Sequence, residues 1–239
     1  MAAVFLVRFA TSPTAKAKGD RAERRVSTSI SRSFGNAGYQ VIDNVTLPTR
    51  TGTTQIDHLI VSPYGVFVVE TKNLSGWIFG REDQQNWTQI LHKKKYRFFN
   101  PIRQNNHHML AVKRLLKLRS DQIHDVVVFV GNSKFKTVMP TNVVSGIRQL
   151  RQFVRSKIER VMSQEEVLRV IAEIRAQRLE PGRETERLHL RNVQAGAHRR
   201  SSGCPRCGSP MVMRTNRSTG DPFLGCERYP ICRGTRPAP

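Results

Sequence analysis

Two groups of side chains in this sequence have the residue types and spacing that chemistry requires. The first lies in "QIDHLIVSPYGVFVVETKN", Gln55 to Asn73, where Asp57, Glu70 and Lys72 interrupt a run of sheet-forming apolar residues. "SPYG" at Ser62–Gly65 has proline at the second turn position and glycine at the fourth, the preference of a type I turn, so the run predicts a hairpin. Symmetric pairing about Pro63 and Tyr64 sets Asp57 opposite Glu70 and Gln55 opposite Lys72, all on one face. Directly opposed side chains have Cβ atoms about 4.5–5.5 Å apart, and like charges in that position push the strands apart. A divalent cation such as Mg²⁺ or Mn²⁺ would offset the repulsion, because it takes one or two carboxylates from protein and keeps its other positions for water and substrate phosphate. Lys72 shares the face of Glu70 and would reach the same point, where it could stabilise charge developing on phosphate or orient the attacking water. Taken alone, a Glu-x-Lys on a strand is most often a solvated pair. Here Val66, Val68 and Val69, with Leu59, Ile60 and Val61 opposite, make the hairpin read as buried on both faces, where exposed charge pairs are not expected.

The second group is Cys204, Cys207, Cys226 and Cys232, which are all the cysteines of the 239-residue chain. Cys-x2-Cys and Cys-x5-Cys, separated by 18 residues, can bring four thiolates into the tetrahedron that Zn²⁺ prefers at structural sites. A disulfide framework would ordinarily extend through a secreted fold, whereas clustered pairs fit metal in a reducing compartment. A segment under about 40 residues rarely folds on its own core, so the metal would explain how this tail folds. Four protein ligands leave no open position, so that zinc role is structural.

These groups need elements to hold them. Helical spacing of Ala22, Val26 and Ile30 predicts a first helix from Lys18 to Phe34. The runs "YQVIDNVTL", "TTQIDHLIV", "GVFVVETKN", "GWIFG" and "WTQILHKKKYRFF" then predict a meander of strands. At "NPIRQNNHHMLAVKRLLKL" the period becomes helical, with Asn100 as cap, Pro101 at the first position, and Ile102, Met109, Leu110, Val112, Leu115 and Leu116 as the apolar face. "DVVVFVG" and "NVVSG" read as strands, and Ile147–Lys157 and Glu165–Leu179 as helices, the second opened by the capping box Ser163-x-x-Glu166. The order predicts an α+β fold of α/β/α type with a central mixed sheet, followed by a small zinc ribbon. The expected divisions are 14–135 for the core, 136–180 for a strand and helices completing it, 181–202 for a basic linker without apolar periodicity, and 203–236 for the ribbon.

Forty Lys and Arg against eighteen Asp and Glu leave a formal charge of +22, which points to a polyanionic partner. Apolar runs such as "VVVFV" fall far short of the roughly 18 residues of a spanning helix, and no signal peptide is legible, so the expectation is a soluble, cytoplasmic, nucleoid-associated protein bound to DNA rather than to membrane.

"QIDHLIVSPYGVFVVETKNLSGWIFG", followed by Trp87 and "NPIRQNNHH", resembles the nuclease-related domain (NERD) family, a branch of the PD-(D/E)XK nuclease-like superfamily, over Lys16 to Gly131. The resemblance implies a restriction-endonuclease-like core in which Asp57, Glu70 and Lys72 match the D…ExK metal and catalytic positions. It implies that Glu23 matches a carboxylate on the first helix and that Gln104 matches a helix glutamine bordering the active site. Ala22 stands where the family usually has glycine, a change conservative in size. Without the resemblance, Glu23 reads as part of a charged helix face and Gln104 as polar surface. His107 and His108 point to different helix faces and are left out of the site, while His58, on the face opposite Asp57, reads as a hydrogen-bonded core histidine. "CPRCG" and "FLGCERYPIC" resemble the C-terminal zinc finger of bacterial type IA topoisomerases, in which such ribbons bind single-stranded DNA. Phe223 and Tyr229 are then candidates for base stacking, with Phe223 equally placed to pack the small core, and Arg206, Arg214, Arg217, Arg228 and Arg233 are candidates for following phosphates.

Two functions follow: a metal-dependent DNA phosphodiesterase tethered by its ribbon to single strands or free ends, and a non-catalytic DNA adaptor on a nuclease-like scaffold. A protein that merely coats nucleic acid would not need the carboxylates and ranks last.

Overall fold

The computed structural model describes residues 26–34, 38–50, 52–205, 209–216 and 218–238. The chain divides into two compact units, one reaching Pro181 and one made of the chain from Gly182 together with residues 51–53. In the first unit, helix α1 (26–34) precedes strands β1 (Gln40–Thr49), β2 (Gly52–Ser62) and β3 (Gly65–Lys72). Strands β4 (Gly76–Phe79), β5 (Asn86–Leu91) and β6 (Lys94–Phe99) lead into helix α2 (Pro101–Leu115). Strands β7 (Ile123–Phe129), β8 (Ser133–Phe135) and β9 (Val143–Ser145) and helices α3 (Gly146–Arg155) and α4 (Gln164–Gln177) complete the unit.

The central sheet has the order β1-β2-β3-β7-β9, with β2 and β3 antiparallel and β3, β7 and β9 parallel. Alternation along these strands serves two cores. Leu59, Val61, Val66 and Val68 pack against Val112 of α2, Leu116 just past its end, and Val167, Val170 and Ile174 of α4. Ile60, Phe67 and Val69 pack on the other side against Val26, Ile30 and Phe34 of α1 and Leu150 and Val154 of α3. The mixed sheet is therefore covered on both faces, as the composition of its strands requires.

The hairpin has the register expected from its turn: Ser62 pairs with Gly65, and the ladder runs through Ile60–Phe67 to His58–Val69. Gly65 has φ +117°, and a Cβ there would stand 2.9 Å from the Gln122 carbonyl oxygen, so another residue would be strained in backbone and in space. Helix α2 begins as read, with the Asn100 side chain accepting the Ile102 N–H, and α4 opens with the reciprocal Ser163–Glu166 capping box.

Three readings change. The run "WTQILHKKKYRFF" is a hairpin rather than one strand, because His92 and Lys93 take φ +48° and +64° and turn the chain between β5 and β6. Positive φ at both central positions is the type I′ pattern, which asparagine and glycine usually announce and which this sequence does not. These strands form a second sheet, β6-β5-β4-β8, whose short β8 was not foreseen. Trp87 of β5 joins it to the central sheet, stacking on Phe129 at 6.2 Å and donating Nε1–H to the Arg81 carbonyl. The stretch read as lacking periodicity is helix α5 (Arg183–Ser202), polar around most of its surface, with Glu184 and Glu186 in its first turn where they favour the dipole.

The second unit ends in a three-stranded antiparallel sheet of β10 (Met211–Thr215), β11 (Pro222–Cys226) and β12 (Thr235–Pro237). Among the described residues, no helix is long and apolar enough to cross a membrane.

Candidate active site

The ladder between β2 and β3 stops one pair short of Asp57 and Glu70. There the side chain of Asp57 replaces a backbone acceptor: its Oδ2 takes the Thr71 N–H at 2.7 Å. On β3, Val66 and Val68 face α2, so by alternation Glu70 and Lys72 turn toward α2 as well. Lys72 Nζ donates to Glu70 Oε1 at 2.5 Å and to Gln104 Oε1 of α2 at 3.0 Å. Gln104, implied only by the resemblance, thus meets the hairpin group.

An asparagine at the next residue fixes that helix. Asn105 is fully buried and its Nδ2 donates to the carbonyls of Val68 on β3 and Val126 on β7, at 2.9 and 3.2 Å. The amide pins α2 across β3, which carries Glu70 and Lys72, and its neighbour β7, and it explains why a polar residue lies in the middle of a buried helix face.

His108 is the site residue that the sequence reading set aside. It is buried, its Nδ1 lies 2.6 Å from Thr54 Oγ1, and its Nε2 stands 3.3 Å from Glu70 Oε2. The pairing with His107 was the wrong comparison. His108 is four residues from Gln104, so the two share a helix face, and that spacing was the available signal. Gln55 departs in the other direction: its amide donates to Asn44 at 2.7 Å instead of joining the group.

The electrostatics divide the two carboxylates. Asp57 keeps some contact with solvent but lies deep among protein atoms, and burial together with the neighbouring Glu70 charge pushes it up to about 7, against the opposing pull of Lys72 and the Thr71 N–H. Glu70 is almost wholly buried. Burial pushes it up as well, but the Lys72 ammonium and His108 outweigh that and hold it below the usual range. The two acids are thus pushed in opposite directions by their surroundings.

A divalent cation fits this donor set. Both groups offer hard oxygens, and Glu70 Oε2 is buried, with the 3.3 Å contact to His108 Nε2 as its polar neighbour. A cation between the two carboxylates would offset the burial and the Glu70 charge that push Asp57 up.

His58 is a core histidine as expected, buried with Nδ1 2.6 Å from Asp43 Oδ1, while Ser27 of α1 donates to the other oxygen of Asp43. Burial pushes Asp43 up, but these two bonds outweigh it and hold the carboxyl below its ordinary value. Glu23 lies outside the described residues, as do Cys207, Arg206 and Arg217.

In the ribbon, the sulfurs of Cys204, Cys226 and Cys232 all lie within 4.8 Å of one another. The Cys204–Cys232 separation is 3.6 Å. A tetrahedron with Zn–S bonds of about 2.3 Å has edges of about 3.8 Å, so the cluster fits a structural zinc site. Its turns are set by main-chain bonds: Cys204 N–H to Ser209 O, Cys226 N–H to Gly234 O and Cys232 N–H to Arg228 O. Arg214, Arg228, Tyr229 and Arg233 are exposed, with Tyr229 at 58% and the Arg214 guanidinium 5.4 Å from its ring centre. Phe223 is half-buried, paired across the sheet with Arg214 and Pro237, so both of its expected roles remain compatible with its place.

A mixed sheet covered on both faces thus carries Asp57, Glu70 and Lys72 on its central hairpin beside a helix glutamine, and the chain also has a cysteine ribbon. Residues 18–130 match the nuclease-related domain family, and residues 202–239 match the topoisomerase DNA-binding C4 zinc finger. Two curated proteins are similar. An uncharacterized protein of Bacillus anthracis is 45% identical over 103 residues, covering 43% of this chain and 48% of its own length. The uncharacterized protein YrdD of Escherichia coli (strain K12) is 44% identical over 39 residues, 16% of this chain and 21% of its own. The chain therefore spans about half the length of the first and a fifth of the second. No solved structure matches it.

Proposed function

We propose that the chain is a metal-dependent deoxyribonuclease, with residues 14–135 as its catalytic core, 136–180 completing that domain, 181–202 as the connecting segment and 203–236 as a zinc-bearing DNA tether. The observation that carries this reading is the meeting of Asp57, the buried Glu70 carboxylate and Lys72 on one face of a buried hairpin, under Gln104 and His108.

Asp57 and Glu70 would hold Mg²⁺ or Mn²⁺, which when bound supplies Lewis acidity toward phosphate and lowers the pKa of bound water. Lys72 presents a fixed ammonium to the charge that develops on the attacked phosphate, and Gln104 restrains it. His108 keeps Glu70 oriented through a contact anchored on Thr54. Glu23, by its match to the family position, is the further candidate carboxylate. Ribbon residues Arg206, Arg214, Arg217, Arg228, Arg233, Tyr229 and Phe223 would grip DNA, and tethering raises the local concentration of substrate at the hairpin without new contacts there.

Incubating the purified chain with linear, nicked and single-stranded DNA and Mn²⁺ or Mg²⁺ tests the proposal. Metal-dependent cleavage is expected, and Lys72→Ala is expected to slow it roughly 10²- to 10³-fold while DNA binding stays intact. Binding by the native chain without any metal-dependent cleavage would leave only the adaptor reading. His108→Ala, which frees Glu70 to rotate, is expected to weaken Mn²⁺ binding roughly 10- to 100-fold, as calorimetry would show; unchanged affinity would limit His108 to packing.

A further inference from the structure

The outer face of the second sheet plays no part in the site above. Its inner face turns Ile78, Trp87 and Phe135 toward the core. Alternation then sends Trp77 of β4, Ile90 of β5 and Lys95 and Arg97 of β6 outward, with Lys134 of β8 directly opposite Trp77 and Lys136 two residues on. Trp77 is 48% exposed, and Lys136 Nζ sits 4.6 Å from its ring centre. Lys95, Arg97, Lys134 and Lys136 are all exposed, and none is ion-paired with a described residue.

We propose that this face is a platform for single-stranded nucleic acid, on which Trp77 stacks one base and the four cations meet the flanking phosphates. Stacking rings combined with a cationic surface are the sequence-tolerant means of holding a single strand. A duplex has no free base face to offer the indole, and an anionic membrane would want more apolar area than Trp77 and the partly buried Ile90 provide. Position gives the platform its purpose, which rests on the nuclease reading: β3 ends at Lys72, and Lys72 and Trp77 are five residues apart, at most about 18 Å along the chain. A strand laid on the platform runs close to the hairpin, so the platform would select single-stranded ends or flaps as substrate.

The chain has two tryptophans, and Trp87 is fully buried, so solvent-exposed emission reports Trp77. The full chain, zinc-loaded and free of Mg²⁺, would be titrated with fluorescein-labelled oligothymidylate while anisotropy and tryptophan emission are both recorded. Binding is expected to quench the long-wavelength emission, Trp77→Ala to weaken affinity roughly 5- to 100-fold, and Lys95→Ala with Lys134→Ala to flatten its salt dependence. Saturating anisotropy without quenching overturns the platform. So does equal quenching by blunt duplex or by polyglutamate. A parallel Mn²⁺ cleavage assay keeps the two ideas apart: cleavage without quenching sinks only the platform, and quenching without cleavage sinks only the nuclease reading.

Discussion

Asp57→Asn is expected to abolish cleavage and yet to stabilise the metal-free protein above neutral pH. The first effect follows from losing a metal ligand and should be at least roughly a hundredfold. The second follows from the buried charge. Asp57 titrates at about 7 in the folded chain, above its ordinary 3.8, so between those values the native state binds more protons than the unfolded one. Stability contributed by this group is therefore complete below about pH 4 and lost as pH rises through 7. Asparagine keeps the Thr71 contact through its carbonyl oxygen and carries no charge beside Glu70. Allowing for the solvent that reaches Asp57, the gain at pH 8 is roughly 1–3 kcal/mol, readable as a higher Tm. At pH 4 native and variant should melt alike, and a variant less stable at pH 8 would show that Asp57 is a structural anchor rather than a strained ligand.

Stripping zinc is the other large effect. Among the described residues of the ribbon, only β11 pairs on both sides, and the buried ones are Cys204, Cys226 and three glycines, Gly203, Gly225 and Gly234. Zinc-finger peptides draw about 10–16 kcal/mol of apparent folding free energy from their metal, more than so small a core can replace. A zinc-selective chelator, or Cys226→Ser, is expected to erase amide-exchange protection across β10, β11 and β12 while protection in β3 and β7 persists. It should also weaken DNA binding at least tenfold. Protection surviving in metal-free β11 would contradict the zinc site.

The hairpin was legible because three independent signals agreed: a proline-glycine turn, β-branched runs on either side, and charges whose numbers place them opposite. Register then followed by counting, and His58 to Val69 pair as counted. Gln104 was reachable only through resemblance, since nothing within one helix announces which strand it will meet. His108 was missed because adjacency to His107 drew attention from its spacing to Gln104, and because a buried histidine depends on α2 crossing β3 as Asn105 pins it. The β5–β6 turn escaped because His92 and Lys93 adopt left-handed backbone without the residues that favour it, held there by the pairing of Trp87 with Phe98 and Gln89 with Tyr96. Helix α5 escaped for the opposite reason: its helix-forming residues carry too little apolar pattern to reveal a period.

Titration of Mn²⁺ into the zinc-loaded chain at pH 8, with free Mn²⁺ followed by electron paramagnetic resonance, tests most directly whether Asp57 and Glu70 share an ion. A saturable site is predicted that weakens as pH falls below 7, where Asp57 takes up a proton, and that disappears in both Asp57→Asn and Glu70→Gln. Mn²⁺ binding that survives both substitutions, or none in the native chain, would contradict it.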